Sequence, residues 1–248
     1  PGFHEDPERA LMERAGPGIV LEGIHLRLGE RHLVRGLSGR VEPGEFLALA
    51  GPSGSGKTTL LQVMAGFLEP DRGRRNWILG GDSSGPVLPV DRIGFVYQHL
   101  RLARQLTALT AVATGALGRL SSWQSLFGFP RPVRQAAWRE LSDIGLAEAA
   151  HAVVGRLSGG ERQRVAMART LLQAPDIYFV DEPVANLDRA NAQLILARLR
   201  REVSEKGKTV VAVLHDETQI GLFADRVLRW DGREAAAWKF ERLRSGKR

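Results

Sequence analysis

Gly51-Pro-Ser-Gly-Ser-Gly-Lys-Thr-Thr59 is the stretch on which the reading of this chain turns. The apolar run Phe46-Leu-Ala-Leu-Ala50 precedes it and a helical stretch, Thr58 to Ala65, follows. Strand, glycine loop and helix therefore occur in the order that a phosphate-binding P-loop requires. Gly51, Pro52, Ser53, Gly54, Ser55 and Gly56 form the loop, and its glycines permit the conformations and close approach through which backbone amides converge on phosphate oxygens. The amides at the helix start, Lys57, Thr58 and Thr59, add the positive end of a helix. Lys57 is expected to reach the β and γ phosphates, and Thr58 Oγ to ligate magnesium. The motif alone does not separate a kinase, a GTPase or a transporter ATPase.

A chain of 248 residues suits one α/β domain with an inserted subdomain, or two small domains. It has no cysteine, which excludes disulfides and cysteine zinc sites and fits a reducing compartment. No apolar run approaches the roughly 20 residues of a membrane helix, and the N-terminus lacks the pattern of a secretory signal, so any membrane role is expected to come through a partner. The formal charge is +7, but arginine is scattered through nearly every segment, with small groups at Arg72, Arg74 and Arg75 and at Arg198, Arg200 and Arg201. No specific nucleic-acid partner is expected from this distribution.

Residues 1–18 read as a peripheral arm, with a short helix allowed from Pro7 to Ala15. Ile19 to Leu28 alternates as a strand, with Ile24, Leu26 and Leu28 on one face. Glu42-Pro-Gly-Glu45 is a turn into the strand before the glycine loop. Glycines and prolines then punctuate the chain from Pro70 to Pro89, leaving room for short strands at Asn76 to Leu79 and Arg92 to Tyr97, an antiparallel margin to the main sheet. Helical character follows in Thr107 to Leu117 and Val133 to Ile144, separated by an aromatic segment with Trp123 and Phe127 that serves either as local core or as a docking surface. Beyond Pro175 the α/β pattern returns, with strands at Ile177 to Val180, Thr209 to Leu214 and Val227 to Trp230 and a helix from Ala190 to Val203. The basic tail after Asp231-Gly232 is too short for a further domain.

Two more stretches carry chemistry. In Ile177-Tyr-Phe-Val-Asp181-Glu182 an acidic pair follows an apolar strand, at the carboxyl end where open α/β sheets bind ligands. Asp181 is expected to support magnesium, and Glu182 to orient and activate the attacking water. In Leu157-Ser-Gly-Gly-Glu161, Ser158 is a good helix cap, and Gly159 and Gly160 leave amides exposed at a positive helix end that can bind an anion.

With these motifs in this order, the sequence closely resembles the ATP-binding subunits of ABC transporters from about Val20 to Gly232. The resemblance implies an α/β fold, a P-loop NTPase core of the ABC ATPase type with an antiparallel β margin and an inserted α-helical subdomain. It places the ATPase domain at residues 19–248 and the helical subdomain at about 100–165. It makes Gly51 to Thr58 the Walker A loop, Gln98 the Q-loop glutamine and a magnesium or water ligand, Leu157 to Glu161 the signature, Ile177 to Asp181 the Walker B strand and Glu182 the catalytic glutamate. Ala185-Asn-Leu-Asp188 resembles the D-loop, and His215 the switch histidine that would bond the γ-phosphate. Lys57, Gln98, Glu182 and His215 are then the catalytic set, with ATP and Mg2+ as the ligands. Two copies would join head to tail, so that Ser158 and Gly160 of one meet the ATP held by Lys57 of the other.

There are departures. Leu28 stands where the family usually stacks an aromatic ring on adenine, so it would cover the base by apolar contact alone, with His32 and Arg27 as candidates to compensate. The signature ends in Glu161 rather than the commoner glutamine. A separate ATPase chain favours import over export. Leu117-Gly-Arg-Leu-Ser-Ser-Trp-Gln-Ser-Leu-Phe-Gly128, with Val184 to Asp188 and Leu214-His215, resembles the phosphonate importer branch, whose relatives also take up phosphite and similar anions. The implied complex has two copies of this chain and two membrane permease subunits on the cytoplasmic face of a bacterial membrane, served by a solute-binding protein. Two rivals stand beside it: an ABC ATPase of DNA repair or chromosome organisation, opposed by the lack of a long heptad run, and a nucleotide-gated scaffold without turnover, opposed by Glu182.

Overall fold

The computed structural model describes residues 15–79, 83–85, 87–98, 100–120, 128–185, 187–232 and 237–243. The helix expected from Pro7 to Ala15, all but the end of the arm, and Trp123, Phe127 and Asn186 fall outside or at the margin of these residues. The chain forms two compact units. One takes the described residues up to Ile93, Asp176–Phe179 and those from Leu199 onward; the other takes Gly94–Pro175 and Val180–Arg198.

The first unit begins with β1 (Gly18–Leu28), β2 (Arg31–Val41) and β3 (Phe46–Ala50), followed by α1 (Lys57–Ala65), β4 (Arg72–Leu79) and β5 (Ser83–Gly85). β1, β2, β4 and β5 make an antiparallel sheet, in the order β2-β1-β4-β5; of the two short strands expected in such a margin, Asn76 to Leu79 belongs to it, whereas the one expected at Arg92 to Tyr97 pairs in the other sheet. β1 is irregular where it pairs with β2, with register shifts between Leu21 and Ile24 and again between Ile24, Leu26 and Arg27. The two later shifts place their extra residue in β2, so Ile24, Leu26 and Leu28 keep one face of β1; Ile24 and Leu26 are buried, while Leu28, the last residue of the strand, is 71% exposed.

A second sheet has the order β10-β9-β3-β8-β7-β6, with β6 (Ile93–Val96), β7 (Ile177–Val180), β8 (Thr209–Val213), β9 (Arg226–Trp230) and β10 (Trp238–Arg242). β3 lies parallel to both neighbours, with Leu47 opposite Val211 on one side and Arg226 on the other. Every residue of β3, β7 and β8 is buried, which is why these strands read as continuous apolar runs rather than as alternating ones. The basic tail adds a strand: β10 pairs antiparallel with β9, and Trp238 Nε1 donates to Leu33 O of β2 at 3.0 Å. A short helix, Glu217–Phe223, begins at Asp216, whose Oδ1 accepts from the amides of Thr218 and Gln219 at 2.7 and 3.3 Å.

In the second unit α2 (Ala108–Ala113) starts at Thr107, whose hydroxyl accepts from Thr110 N at 3.2 Å. The helix expected to reach Leu117 tightens at Thr114 into a 3-10 segment, Thr114–Arg119. Gly115 explains why the segment lies so close to its neighbour, since a Cβ there would stand 2.1 Å from Arg169 O. α3 (Arg131–Asp143) buries Ala137 and Leu141, while α4 (Gly159–Gln173) buries Val165, Ala166, Met167, Ala168, Leu171 and Leu172. These three helices pack together through small and branched apolar side chains. The helix that follows β7, Arg189–Lys206, we label α5; the Glu217–Phe223 helix is α6.

Asp176, just before β7, ties three chain segments of the first unit together. Its Oδ2 accepts from Arg92 Nε at 2.5 Å, its Oδ1 from Lys208 Nζ at 2.6 Å, and its amide donates to Arg92 O at 2.8 Å. Burial opposes ionisation of this carboxyl, but the bonds from Lys208 and Arg92 outweigh it and hold its pKa below the usual aspartate range. A lowered folded pKa gives stability that is complete above the unfolded value and is lost as pH falls through the folded one. Asp176→Asn should therefore lower the urea midpoint at pH 7, and the gap from the wild type should close on acidification below about pH 3. A gap that stays constant down the acid limb would show that the carboxylate charge is not what the site uses.

Candidate functional site

In the first unit the glycine loop joins the buried end of β3 to α1. Gly54 and Gly56 have φ of 75° and 95°, a region that glycine enters without strain. A side chain would also collide: a Cβ on Gly56 would lie 2.9 Å from Leu33 Cβ, and one on Gly51 2.9 Å from Trp230 Cβ. α1 begins at Lys57 without a side-chain cap and without an acidic residue in its first turn, so its amides and dipole remain available to an anion. Ser55 Oγ is buried with no hydrogen-bond partner. Lys57 is 6% exposed, and its ammonium donates to Gly51 O at 3.0 Å and Pro52 O at 2.8 Å. An orphaned hydroxyl, an uncapped helix start and an ammonium curled over the loop that carries them fit a polyphosphate.

Thr58 is exposed at the start of α1, and Thr59 is half-buried. Leu28 pairs with Arg31 at the tip of the β1–β2 hairpin, and Arg31 Nη1 would come within 3.8 Å of a Cβ on Gly54. The hairpin that carries Leu28 thus abuts the loop. His215, exposed, follows β8 by two residues.

The second unit holds the other expected residues. Asp181, 3% exposed, is fixed by its amide, which donates to Val96 O at 2.9 Å. Glu182, next in sequence, adopts φ 52°, a left-handed conformation that a Cβ disfavours. Gln98 Nε2 stands 3.5 Å from Glu182 Oε2, so the Q-loop glutamine and the glutamate are brought together. Behind Glu182, Gln163 Nε2 donates to its carbonyl at 2.7 Å. Sequence reasoning gave Gln163 no role, because the only signal was a polar residue on the buried side of a helix.

Ser158 caps α4 as expected, and more fully. Its Oγ accepts from Glu161 N at 3.2 Å, and Glu161 Oε2 accepts from Ser158 N at 2.8 Å, a reciprocal capping box. The Ser158 amide, then its hydroxyl, hold the Glu161 carboxyl below the usual range. Glutamate and glutamine both close such a box, which explains why Glu161 can stand in the signature. Gly159 is exposed beside it, Gly160 half-buried. Asp188 turns back onto the start of α5, where its Oδ1 accepts from Asn191 N at 3.0 Å. Ser158, Gly159, Gly160 and Asp188 line one cavity of about 420 Å³.

Among the described residues no cluster of three histidine or acidic side chains could hold a metal alone. Magnesium carried by phosphates needs only one or two protein ligands, and Thr58 and Asp181 have the oxygen chemistry it takes.

Residues 34–185 match the family model described as ABC transporter. The chain belongs to the ABC transporter family. It is 37% identical over 236 residues to the phosphonates import ATP-binding protein PhnC of Maricaulis maris, a match covering 88% of this chain and 86% of that protein. It is 40% identical over 216 residues to the protein of the same name from Frankia casuarinae, covering 85% of each. The solved dimeric structure of a post-hydrolysis state of the ATP-binding cassette MJ0796, bound to ADP and Pi, superposes with a TM-score of 0.77 at 29% identity, covering 92% of this chain and 99% of that one. The architecture is that of an ABC ATPase cassette.

The capping box can be separated from any role of Ser158 toward a ligand. Ser158→Ala should cost about 1 kcal/mol of stability in urea unfolding, whereas Glu161→Gln, which keeps the box, should cost less than about 0.5 kcal/mol. Equal losses in the two variants would mean that the glutamate charge, not the box, holds the helix start.

Proposed function

We propose that this chain is the ATP-hydrolysing subunit of an importer for a phosphonate, phosphite or a related phosphorus oxyanion. The observation that carries the reading is the likeness, at 37–40% identity over 85–88% of the chain, to proteins named for phosphonate import. The intact set of phosphate loop, acidic pair and capped glycine helix supports turnover, and favours neither a DNA-repair ATPase nor a silent scaffold. Among the described residues no helix is long and apolar enough to cross a membrane, so attachment to the membrane would come through two permease subunits.

In this reading Lys57 exchanges the Gly51 and Pro52 carbonyls for β- and γ-phosphate oxygens. Because the ammonium is already desolvated, little further cost attends that exchange. The Ser55 hydroxyl and the amides at the start of α1 take further oxygens. Thr58 and Asp181 would hold magnesium, which when bound neutralises charge on the phosphates. Glu182 accepts the proton of the attacking water, Gln98 steadies the same carboxylate, and His215 bonds the γ-phosphate. Leu28 covers the base without ring stacking. Ser158, Gly159, Gly160 and Asp188 act on the ATP held by a second copy, where the amides at the start of α4 close over the γ-phosphate and exclude water.

Three measurements test this. Glu182→Gln should reduce ATP turnover at least about 100-fold while ATP binding persists and the ATP-loaded dimer accumulates. Lys57→Ala should weaken ATP binding or its use, and unchanged affinity and turnover would remove the P-loop from the mechanism. For the cargo, a solute-binding protein loaded with phosphonate or phosphite should stimulate ATPase activity of the assembled transporter. Stimulation by phosphate alone, or by none of the three, counts against the phosphonate branch.

A further inference from the structure

Gln163, Ala166, Met167 and Thr170 share one buried face of α4 at helical spacing. Thr170 returns its hydroxyl to Ala166 O of its own helix at 3.1 Å. Gln163 does not: its amide leaves the helix and donates to Glu182 O at 2.7 Å. The orientation is settled by chemistry, since a carbonyl only accepts and Nε2 must face it. The other end of the amide, Oε1, is buried without a partner. A methionine would fill this place without stranding an acceptor, so what the glutamine adds is the single bond to Glu182.

That bond falls on a backbone that needs holding. Glu182 sits at φ 52°, and relaxation toward the right-handed region would rotate its peptide plane and redirect its side chain. Ala185 N also donates to the Glu182 carbonyl, at a long 3.4 Å. On the preceding side the Asp181 amide is tied to Val96 O at 2.9 Å. Of these two bonds to the carbonyl, that from Gln163 is the shorter, and it acts on the flank where the strain resides. Gln163 also lies five residues beyond Ser158, on the helix whose start carries the signature glycines.

We propose that Gln163 is a positioning residue for hydrolysis: reaching from the signature helix, it fixes the peptide plane of Glu182 and so aims the carboxylate that Gln98 meets from the other side. The inference rests on the reading of Glu182 as the base. Holding the base from α4 ties its aim to the same rigid element that would cover ATP in a second copy.

The test compares the full wild-type chain with Gln163→Met, Gln163→Asn and Glu182→Gln, measuring kcat and KM for ATP and the thermal midpoint. Methionine keeps the volume and removes the donor, whereas asparagine keeps the donor and withdraws it by one methylene. Both should lower kcat about 10- to 100-fold, with KM for ATP within about twofold and the thermal midpoint within about 4 °C of the wild type. A kcat within about twofold of the wild type in either variant overturns the proposal. So does a loss that appears in KM or follows a fall in thermal midpoint, since that pattern belongs to packing. If Glu182→Gln abolishes turnover while the Gln163 variants keep theirs, the positioning role fails and the base stands. If Glu182→Gln itself keeps wild-type turnover, both fall together.

Discussion

The placement of the phosphate loop depends on β3 being gripped from both sides. Its backbone is paired in parallel with β8 and β9, all five of its residues are buried, and Asp225 adds a 2.9 Å bond to Phe46 N at its start. Parallel pairing leaves no freedom of register where every side chain is enclosed, because a slip by one residue would exchange the two packed faces. The loop that follows is therefore delivered to a fixed point, and its geometry is completed by contact: Leu33 leaves no room for a Cβ at Gly56, and Trp230 none at Gly51. The glycines are required by neighbours as much as by conformation. Trp230 closes β9, and Leu33 is anchored through its carbonyl by Trp238, so even the basic tail takes part in shaping the loop.

The second unit solves a different problem, that of holding an acidic residue in an unfavourable backbone state. Asp181 and Glu182 are adjacent but supported by separate means. Asp181 is buried and tied to Val96, while Glu182 is strained and met by two glutamines, one on its carbonyl and one on its carboxylate. Strain of this kind survives only where surrounding bonds over-determine it, and it concentrates where chemistry is done. α4 carries both the capping box at Ser158 and the Gln163 amide, so one helix both fixes its own start and holds the Glu182 peptide.

The parts legible in the sequence obey local rules. The P-loop spacing, the acidic pair after an apolar strand and the serine cap each reveal themselves within a few residues, and the structure places Lys57 in the loop, Asp181 and Glu182 after β7, and Ser158 at the start of α4. β2 was not legible: Arg31–Val41 mixes arginines, a histidine and glycines, and only pairing with β1 makes it a strand. β10 is hidden for the same reason, since its partner β9 supplies the register from Trp238 opposite Trp230. The exposure of Leu28 comes from its place at the tip of the β1–β2 hairpin, which periodicity does not announce. Gln163 is the sharpest omission, because an isolated amide in a helix acquires meaning only from the carbonyl opposite it.

The left-handed backbone at position 182 has a practical corollary for anyone seeking hardier forms of this protein. Glycine or asparagine is the natural remedy for such a torsion, and either would relieve the conformational penalty that glutamate bears there. A screen rewarding only heat resistance would thus be drawn toward replacing the side chain proposed above as the base, a local instance of robustness and activity pulling in opposite directions.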